Sequence, residues 1–171
     1  MELITVLRKA TSYDCEAIYN AHLFAVRYAC KNCYSDEILQ VWSRLLYPES
    51  YLEGIKHKEL WVAEYKHKIQ GFFQLDIAKA ELDALYVHPF VHNRGIGTAL
   101  LQKAENLAFE ADLTFVKLYA SLNSTYFYHI NHYHTLEKCQ LMLDEEKDIF
   151  VDCLLMKKLS LIHISEPTRP Y

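Results

Sequence analysis

Apolar positions along the chain switch repeatedly between a period of two and a period near four. Leu3–Leu7 alternates and is rich in β-branched residues, which predicts a strand. Thr11 and Asp14 then stand at capping-box spacing, and Ile18, Ala21, Ala25 and Ala29 recur at helical spacing behind them. A second helical stretch covers Asp36–Leu46. Pro48 interrupts it, and a short helix follows to Ile55. Leu60–Tyr65 and Ile69–Asp76 return to the strand pattern across the polar turn Lys66-His67-Lys68, and Ala80–Val87 adds a strand that stops at Pro89. Arg94–Glu110 is a strong amphipathic helix, with Ile96, Leu100, Ala104, Leu107 and Ala111 on one face. Phe115–Ala120 predicts a strand and Ser124–His132 a helix. Cys139–Leu143 and Ile149–Met156 predict a closing antiparallel pair around the charged turn Asp144–Asp148. The order is β-α-α-β-β-β-α-β-α-β-β, an α/β chain with a mixed sheet.

Composition narrows the class without changing this picture. The 171 residues suit one domain, and 51% apolar with 23% charged residues excludes a disordered or fibrous chain. Eighteen basic against 22 acidic residues leave a net charge of −4, so nucleic acid and anionic membrane are not expected partners. No apolar run reaches the length of a membrane span, and Arg8, Lys9 and Asp14 leave no room for a signal-peptide core. A cytoplasmic location is expected. The five cysteines are odd in number and scattered, which fits reduced thiols. Cys30 and Cys33 form a CxxC pair with no second pair to complete a zinc site, so they read as two thiols at a helix end.

The last residues differ in character. LSLIHISEPTR, from Leu159 to Arg169, resembles the translation of a transposase adapter used in preparing sequencing libraries. The expected division is a domain over residues 1–158 and a non-native tail over 159–171.

Glycine is scarce, with 4 in the whole chain, yet Gly95 and Gly97 fall together between the strand ending at Val87 and the helix opening near Arg94. Such spending predicts a place where side chains would collide. Backbone N–H groups at a helix N-terminus cradle phosphate. A dinucleotide fingerprint would need glycine at Leu100, and a P-loop would need Gly-Lys-Ser/Thr where Thr98-Ala99-Leu100 stands.

What remains, LYVHPFVHNRGIGTALL over residues 85–101, resembles the acetyl-CoA-binding motif of the GNAT superfamily of N-acetyltransferases. ASLNSTYFYHINHYH, residues 120–134, resembles the following element of that family, with Asn123, Phe127, Tyr128 and Tyr133 in register. The element order agrees from Leu3 to Lys158. Two positions depart: His92 stands for a Gln or Arg, and His132 for a glycine, which predicts a rebuilt helix end.

The resemblance implies a GNAT-like, mostly antiparallel central sheet flanked by helices. It implies acetyl-CoA as co-substrate and no metal. Backbone N–H groups over Arg94, Gly95, Ile96, Gly97 and Thr98 would hold the pyrophosphate, with His92 near them. The edge of Leu85, Tyr86 and Val87 would bind the pantetheine arm and hold the developing oxyanion, and Asn123 would position the coenzyme. Tyr128 would be the general acid, a phenol that stays protonated at neutral pH.

Strand parity puts Glu81, Asp83, Leu85 and Val87 on one face; the resemblance implies a carboxylate at one or other of the first two positions as base, often through a water, and Asp83, nearer the strand centre, ranks first. His129, His132 and His134 cluster beside Tyr128 without a partner spaced to complete a metal site. Trp42, Tyr47 and Tyr51 fall where the family varies its substrate pocket, and core packing is their default reading.

The function implied is N-acetylation of a primary amine, on a small molecule or a peptide, by direct attack in a ternary complex. No cysteine lies in either motif to carry the acetyl group. The alternative is a non-catalytic acyl-CoA-binding regulatory module on the same fold. A homodimer is left open.

Overall fold

The strand-forming runs join into one seven-stranded sheet in the computed structural model, which describes residues 5–91 and 95–160. The strands are β1 (Val6–Lys9), β2 (Glu59–Tyr65), β3 (Lys68–Asp76), β4 (Glu81–Val87), β5 (Phe115–Ser121), β6 (His134–Asp144) and β7 (Ile149–Leu159). Their spatial order is β1-β2-β3-β4-β5-β7-β6. Only β4 and β5 run parallel; every other neighbouring pair is antiparallel. The helices are α1 (Cys15–Phe24), continued by a π turn over Ala25–Ala29, then α2 (Asp36–Arg44), α3 (Leu52–His57), α4 (Ile96–Glu110) and α5 (Thr125–Ile130). Among the described residues no helix is long and apolar enough to cross a membrane.

The element order is the one the hydrophobic pattern predicts, and the differences have local causes. The first strand runs over Val6–Lys9 rather than Leu3–Leu7, and Leu3 lies outside the described residues. Strand β6 begins at His134, well before Cys139. Most of it is exposed on both faces, so its sequence carries no apolar alternation to mark the start. Most of the adapter-like tail, residues 161–171, lies outside the described residues; Leu159 pairs with Phe115 at the end of β7.

Side-chain chemistry fixes the helix starts. Ser35 caps α2 by accepting a hydrogen bond from Ile38 N at 3.3 Å. Before α1, the Thr11 backbone N–H donates to Asp14 Oδ2 at 2.7 Å. Arg8 grips the same carboxylate through two nitrogens at 2.8 and 2.9 Å and Glu64 through Nε at 2.7 Å. One arginine thus ties β1 to both the α1 start and β2.

Helix α4 buries Ile96, Leu100, Leu101, Ala104 and Ala108 against Phe73, Leu75, Leu82, Leu118 and Met156. On the other side of the sheet, Ile18 and Tyr51 pack on Leu60, Val62 and Phe72, while Leu39 of α2 joins Val26, Tyr34 and Val151. The closest backbone approach is at Gly71, where a Cβ would stand 2.9 Å from the Tyr86 carbonyl oxygen and 3.1 Å from Leu100 Cδ1.

A β-bulge shapes the centre of the sheet. Gln74 pairs with Ala84, yet the next residue, Leu75, pairs with Leu82, leaving Asp83 as an extra residue in β4. The bulge resets strand parity. Leu82, Leu85 and Val87 pack toward α4, and Ala84 and Tyr86 pack toward α1. The expected face of Glu81, Asp83, Leu85 and Val87 is therefore corrected: Leu85 and Val87 turn away from the carboxylates. Beyond the bulge β4 leaves β5. The two strands pair only at Glu81 and Lys117, with Lys117 N–H donating to the Ala80 carbonyl at 2.9 Å.

The Arg8 guanidinium holds the Asp14 carboxyl below its ordinary value of 3.8, against the opposing effect of burial. A depressed carboxylate stabilises the fold above its unfolded pKa, and that contribution fades as pH falls through the folded one. Asp14→Asn is expected to lower the urea midpoint at neutral pH, with the gap from wild type closing below about pH 3.8.

Candidate active site

Where β4 and β5 part, their ends frame a cavity of about 420 Å³. Leu85, Tyr86 and Val87 supply one wall, and Ser121, Asn123 and Ser124 the other. Gly95–Thr98 close one end at the start of α4. Phe127 and Tyr128 reach in from α5, and Ala25, Ala29 and Cys30 from the π turn and its C-cap. Among the described residues, every one on this wall is uncharged at neutral pH. Among the expected residues, Leu85, Tyr86, Val87, Gly95, Ile96, Gly97, Thr98, Asn123 and Tyr128 thus meet in one place. His92 and Arg94 lie outside the described residues.

Gly95 caps α4 with φ +74°, the left-handed conformation that glycine adopts most cheaply. The N–H groups of the following turn have no carbonyl within the helix to bind, and they face the cavity end with the positive pole of the helix dipole. The expectation of a steric collision is corrected here. A Cβ on Gly95 meets nothing within 4 Å, and one on Gly97 makes ordinary contact with Phe127 at 3.5 Å. Collisions arise instead at Gly71 and at Gly54, which lies under the Gln74 side chain. Within the protein Gly95 serves backbone shape, and Gly97 lines the cavity end.

Tyr128 is buried, and burial pushes its hydroxyl pKa up, so it stays protonated. Its ring is held edge-on by Phe127 at 5.2 Å and Tyr133 at 5.5 Å, and the Tyr133 hydroxyl donates to Glu105 at 3.1 Å. The expected rebuilt helix end is also corrected. His132 takes φ +71°, doing what a glycine would do. Tyr133 N–H then reaches back to the Tyr128 carbonyl at 3.0 Å and His132 N–H to that of His129 at 3.1 Å, closing the helix in a Schellman-type turn.

The carboxylates sit outside the cavity lining. Asp83 accepts from Lys58 at 2.8 Å and Gln74 at 2.9 Å, and Asp76 joins Lys58 at 3.4 Å. Burial alone would raise the Asp83 pKa, but these donors outweigh it and leave it lowered. Glu81 is raised, by burial and by its neighbour Asp83, with Lys117 only at 3.9 Å. The two carboxylates are thus shifted in opposite directions, Glu81 up and Asp83 down.

Three contributors escaped the sequence reading. Cys30, read as an ordinary thiol, lines the cavity against the Asn123 side chain, and burial pushes its pKa up to about 12. The Tyr34 hydroxyl donates to the Asp152 carbonyl at 2.5 Å and accepts from Leu122 N–H at 2.9 Å, which fixes the loop before Asn123. His22 packs its ring 4.1 Å from that of Tyr86, with Nδ1 2.8 Å from the Tyr51 hydroxyl. Burial pushes His22 down to about 3, so it supports Tyr86 as a neutral ring. No motif marks these residues; only the fold brings them near β4. Tyr51 and Trp42 are core residues, Tyr47 is exposed, and none of the three lines the cavity. Among the described residues no three His, Cys, Asp or Glu side chains stand together to hold a metal ion, and His129, His132 and His134 do not converge.

Residues 30–141 match the model of the acetyltransferase (GNAT) domain, a span that holds both motifs, β4, α4 and Tyr128. The chain belongs to the GNAT acetyltransferase family. Solved structures share its fold. The GCN5-related N-acetyltransferase of Rhodopseudomonas palustris superposes with a TM-score of 0.85 at 20% identity, covering 93% of this chain and 98% of that one. PaiA N-acetyltransferase of Thermoplasma acidophilum, solved in complex with coenzyme A, gives 0.75 at 21%, covering 91% and 99%. The yncA protein of Salmonella typhimurium, solved with its cofactor acetyl-CoA, gives 0.62 at 16%, covering 98% of each. No curated protein sequence matches the chain.

In this GNAT domain a histidine occupies a glycine conformation beside the candidate acid. His132→Gly is expected to stabilise the fold by about 1 kcal/mol, the left-handed strain relieved less the entropy of the added glycine. Equal or lower stability in urea titration would contradict that account of the turn.

Proposed function

We propose that this GNAT domain moves the acetyl group of acetyl-CoA to a primary amine by direct attack in a ternary complex. The observation that carries the reading is the neutral cleft between the parted strands, with backbone N–H groups at one end and a protonated phenol on its wall. The N–H groups of residues 95–98 suit a pyrophosphate. The free β4 edge over Leu85–Val87 suits an extended amide-bearing arm, bound as an added strand would be. An N–H of the same edge would hold the carbonyl oxygen as it gains negative charge.

The proton balance assigns the remaining roles. An alkylammonium must lose a proton before its lone pair can attack the carbonyl carbon. It loses a second as the amide forms. The carbon–sulfur bond breaks, and the leaving thiolate takes a proton from Tyr128, which the second amine proton replaces. The first leaves through water to Glu81, whose raised pKa suits it to receive it. An acetyl-cysteine route is disfavoured by Cys30 itself: pushed up to about 12, it stays a thiol at neutral pH.

Calorimetric titration with acetyl-CoA tests the site, and CoA release across an amine panel tests the reaction. Gly97→Trp fills the space over the α4 start and is expected to abolish binding without unfolding the chain. Tyr128→Phe is expected to cut kcat by about 100-fold or more while leaving coenzyme Kd within about twofold. Unchanged turnover removes Tyr128 from the mechanism. Saturable binding with no CoA release from any amine would favour a non-catalytic module.

The base makes its own prediction. A carboxylate accepts a proton only when ionised, so kcat falls as pH drops through the Glu81 pKa. The acid limb is expected above the ordinary value of 4.5, and Glu81→Gln is expected to remove it. Asp83→Asn is expected to retain it; the reverse pattern would return the role to Asp83.

A further inference from the structure

Four aromatic rings stand together at the cleft mouth, unused by the chemistry above. Phe24 and Tyr28 lie one turn apart on α1 and its π continuation and stack at 5.6 Å with 12° between planes. His88 and Phe90 flank Pro89 just past the end of β4, 5.1 Å apart. The pairs face each other, with Phe24 5.1 Å from His88 and Tyr28 6.1 Å from Phe90. The rings alternate in sequence with residues that line the cleft: Ala25 and Ala29 on the helix, Val87 and Val91 on the strand side. The cluster is therefore continuous with the cleft wall, and its strand-side half leads directly into the segment before Gly95. Its outer surface is open: Phe90 is 77% exposed and Tyr28 51%. A contiguous exposed group of rings, unlike rings scattered singly, marks an interaction site.

We propose that this cluster is the seat of the coenzyme's adenine. The proposal rests on the reading that the cleft takes acetyl-CoA. The coenzyme carries a single aromatic group, and it lies beyond the pyrophosphate from the thioester. With the pyrophosphate on the N–H groups of residues 95–98, the thioester arm runs inward along β4 and the adenine stays outside, beside the cradle. Val87 and Val91, which flank His88–Phe90, line the same cleft as Gly95–Thr98, and Phe90 and Tyr28 are exposed next to that wall. A purine stacks on such a ring without needing hydrogen-bond partners. The π turn fits the same account: an extra residue in a helical turn re-aims side chains, and such turns recur at functional sites.

The experiment compares acetyl-CoA with acetyl-4′-phosphopantetheine, which keeps the thioester arm and one phosphate but lacks adenosine. Calorimetry on the full chain is expected to show Kd for acetyl-CoA rising roughly tenfold in Phe90→Ala and in Tyr28→Ala. Kd for the truncated thioester should not change, and Phe90→Tyr should restore tight binding. Melting curves check that each variant is folded. Fluorescence of 1,N6-etheno-CoA reads the stacking directly: quenched on wild type, unquenched on Phe90→Ala. Equal weakening of both ligands, unchanged coenzyme binding in both variants, or a rise confined to the amine KM would each overturn the proposal. A folded wild type that binds no acetyl-CoA would sink the acetyltransferase reading along with it.

Discussion

One extra residue in β4 sets the terms for everything around it. Because Asp83 has no partner in β3, the strand turns over at that point, and side chains on either side of it change face. The same distortion sends β4 away from β5 after a single paired position. Two strands that would otherwise be zipped leave a wedge of backbone without a sheet partner. A sheet interior has no other way to offer unpaired N–H and C=O groups to a ligand. The cleft, the free edge over Leu85–Val87 and the approach of Tyr128 from α5 all follow from that wedge.

Among the described residues, charge is kept away from the cleft wall. Tyr128, Cys30 and His22 are all held neutral by desolvation. The ionised groups of the region are instead gathered at the bulge, where Lys58 joins Asp83 and Asp76. A neutral wall is suited to a long, mostly uncharged acyl-carrying arm, and it strengthens the few oriented dipoles present. Moving one carboxylate into the lining would weaken that arrangement by raising the local demand for water.

Glycine economy follows a related logic. Lys66, His67, Ala80, Asp112, His132 and Asp148 all take positive φ without being glycine. The chain accepts that strain at turns, where solvent or neighbouring hydrogen bonds compensate it. It keeps glycine at Gly54 and Gly71, where packed atoms leave no room for a Cβ, and at the start of α4. Scarcity of glycine therefore does mark special positions, but steric room and backbone shape account for different ones.

Local rules settled much of this molecule. Amphipathic periodicity placed α4, the turn dipeptide Lys66-His67 placed the β2–β3 hairpin, and the Gly95–Gly97 spacing marked the phosphate-suited helix start. These depend on residues a few positions apart, so the chain carries them in linear form. The exposed strand β6 left no such trace, because a strand buried on neither face needs no alternation. Parity across β4 was read wrongly, since a bulge depends on the register with β3, and register is a property of two strands. The opposite shifts of Asp83 and Glu81 left no trace in the sequence for the same reason: Lys58 and Gln74 come from α3's end and β3, and only folding brings them to one carboxylate. Cys30, Tyr34 and His22 were silent in the sequence because their surroundings, and not their neighbours in the chain, decide their ionisation and contacts. The sequence by itself determined the elements and the family motif; packing between distant segments decided which side chains share the cleft and which of them can hold a charge.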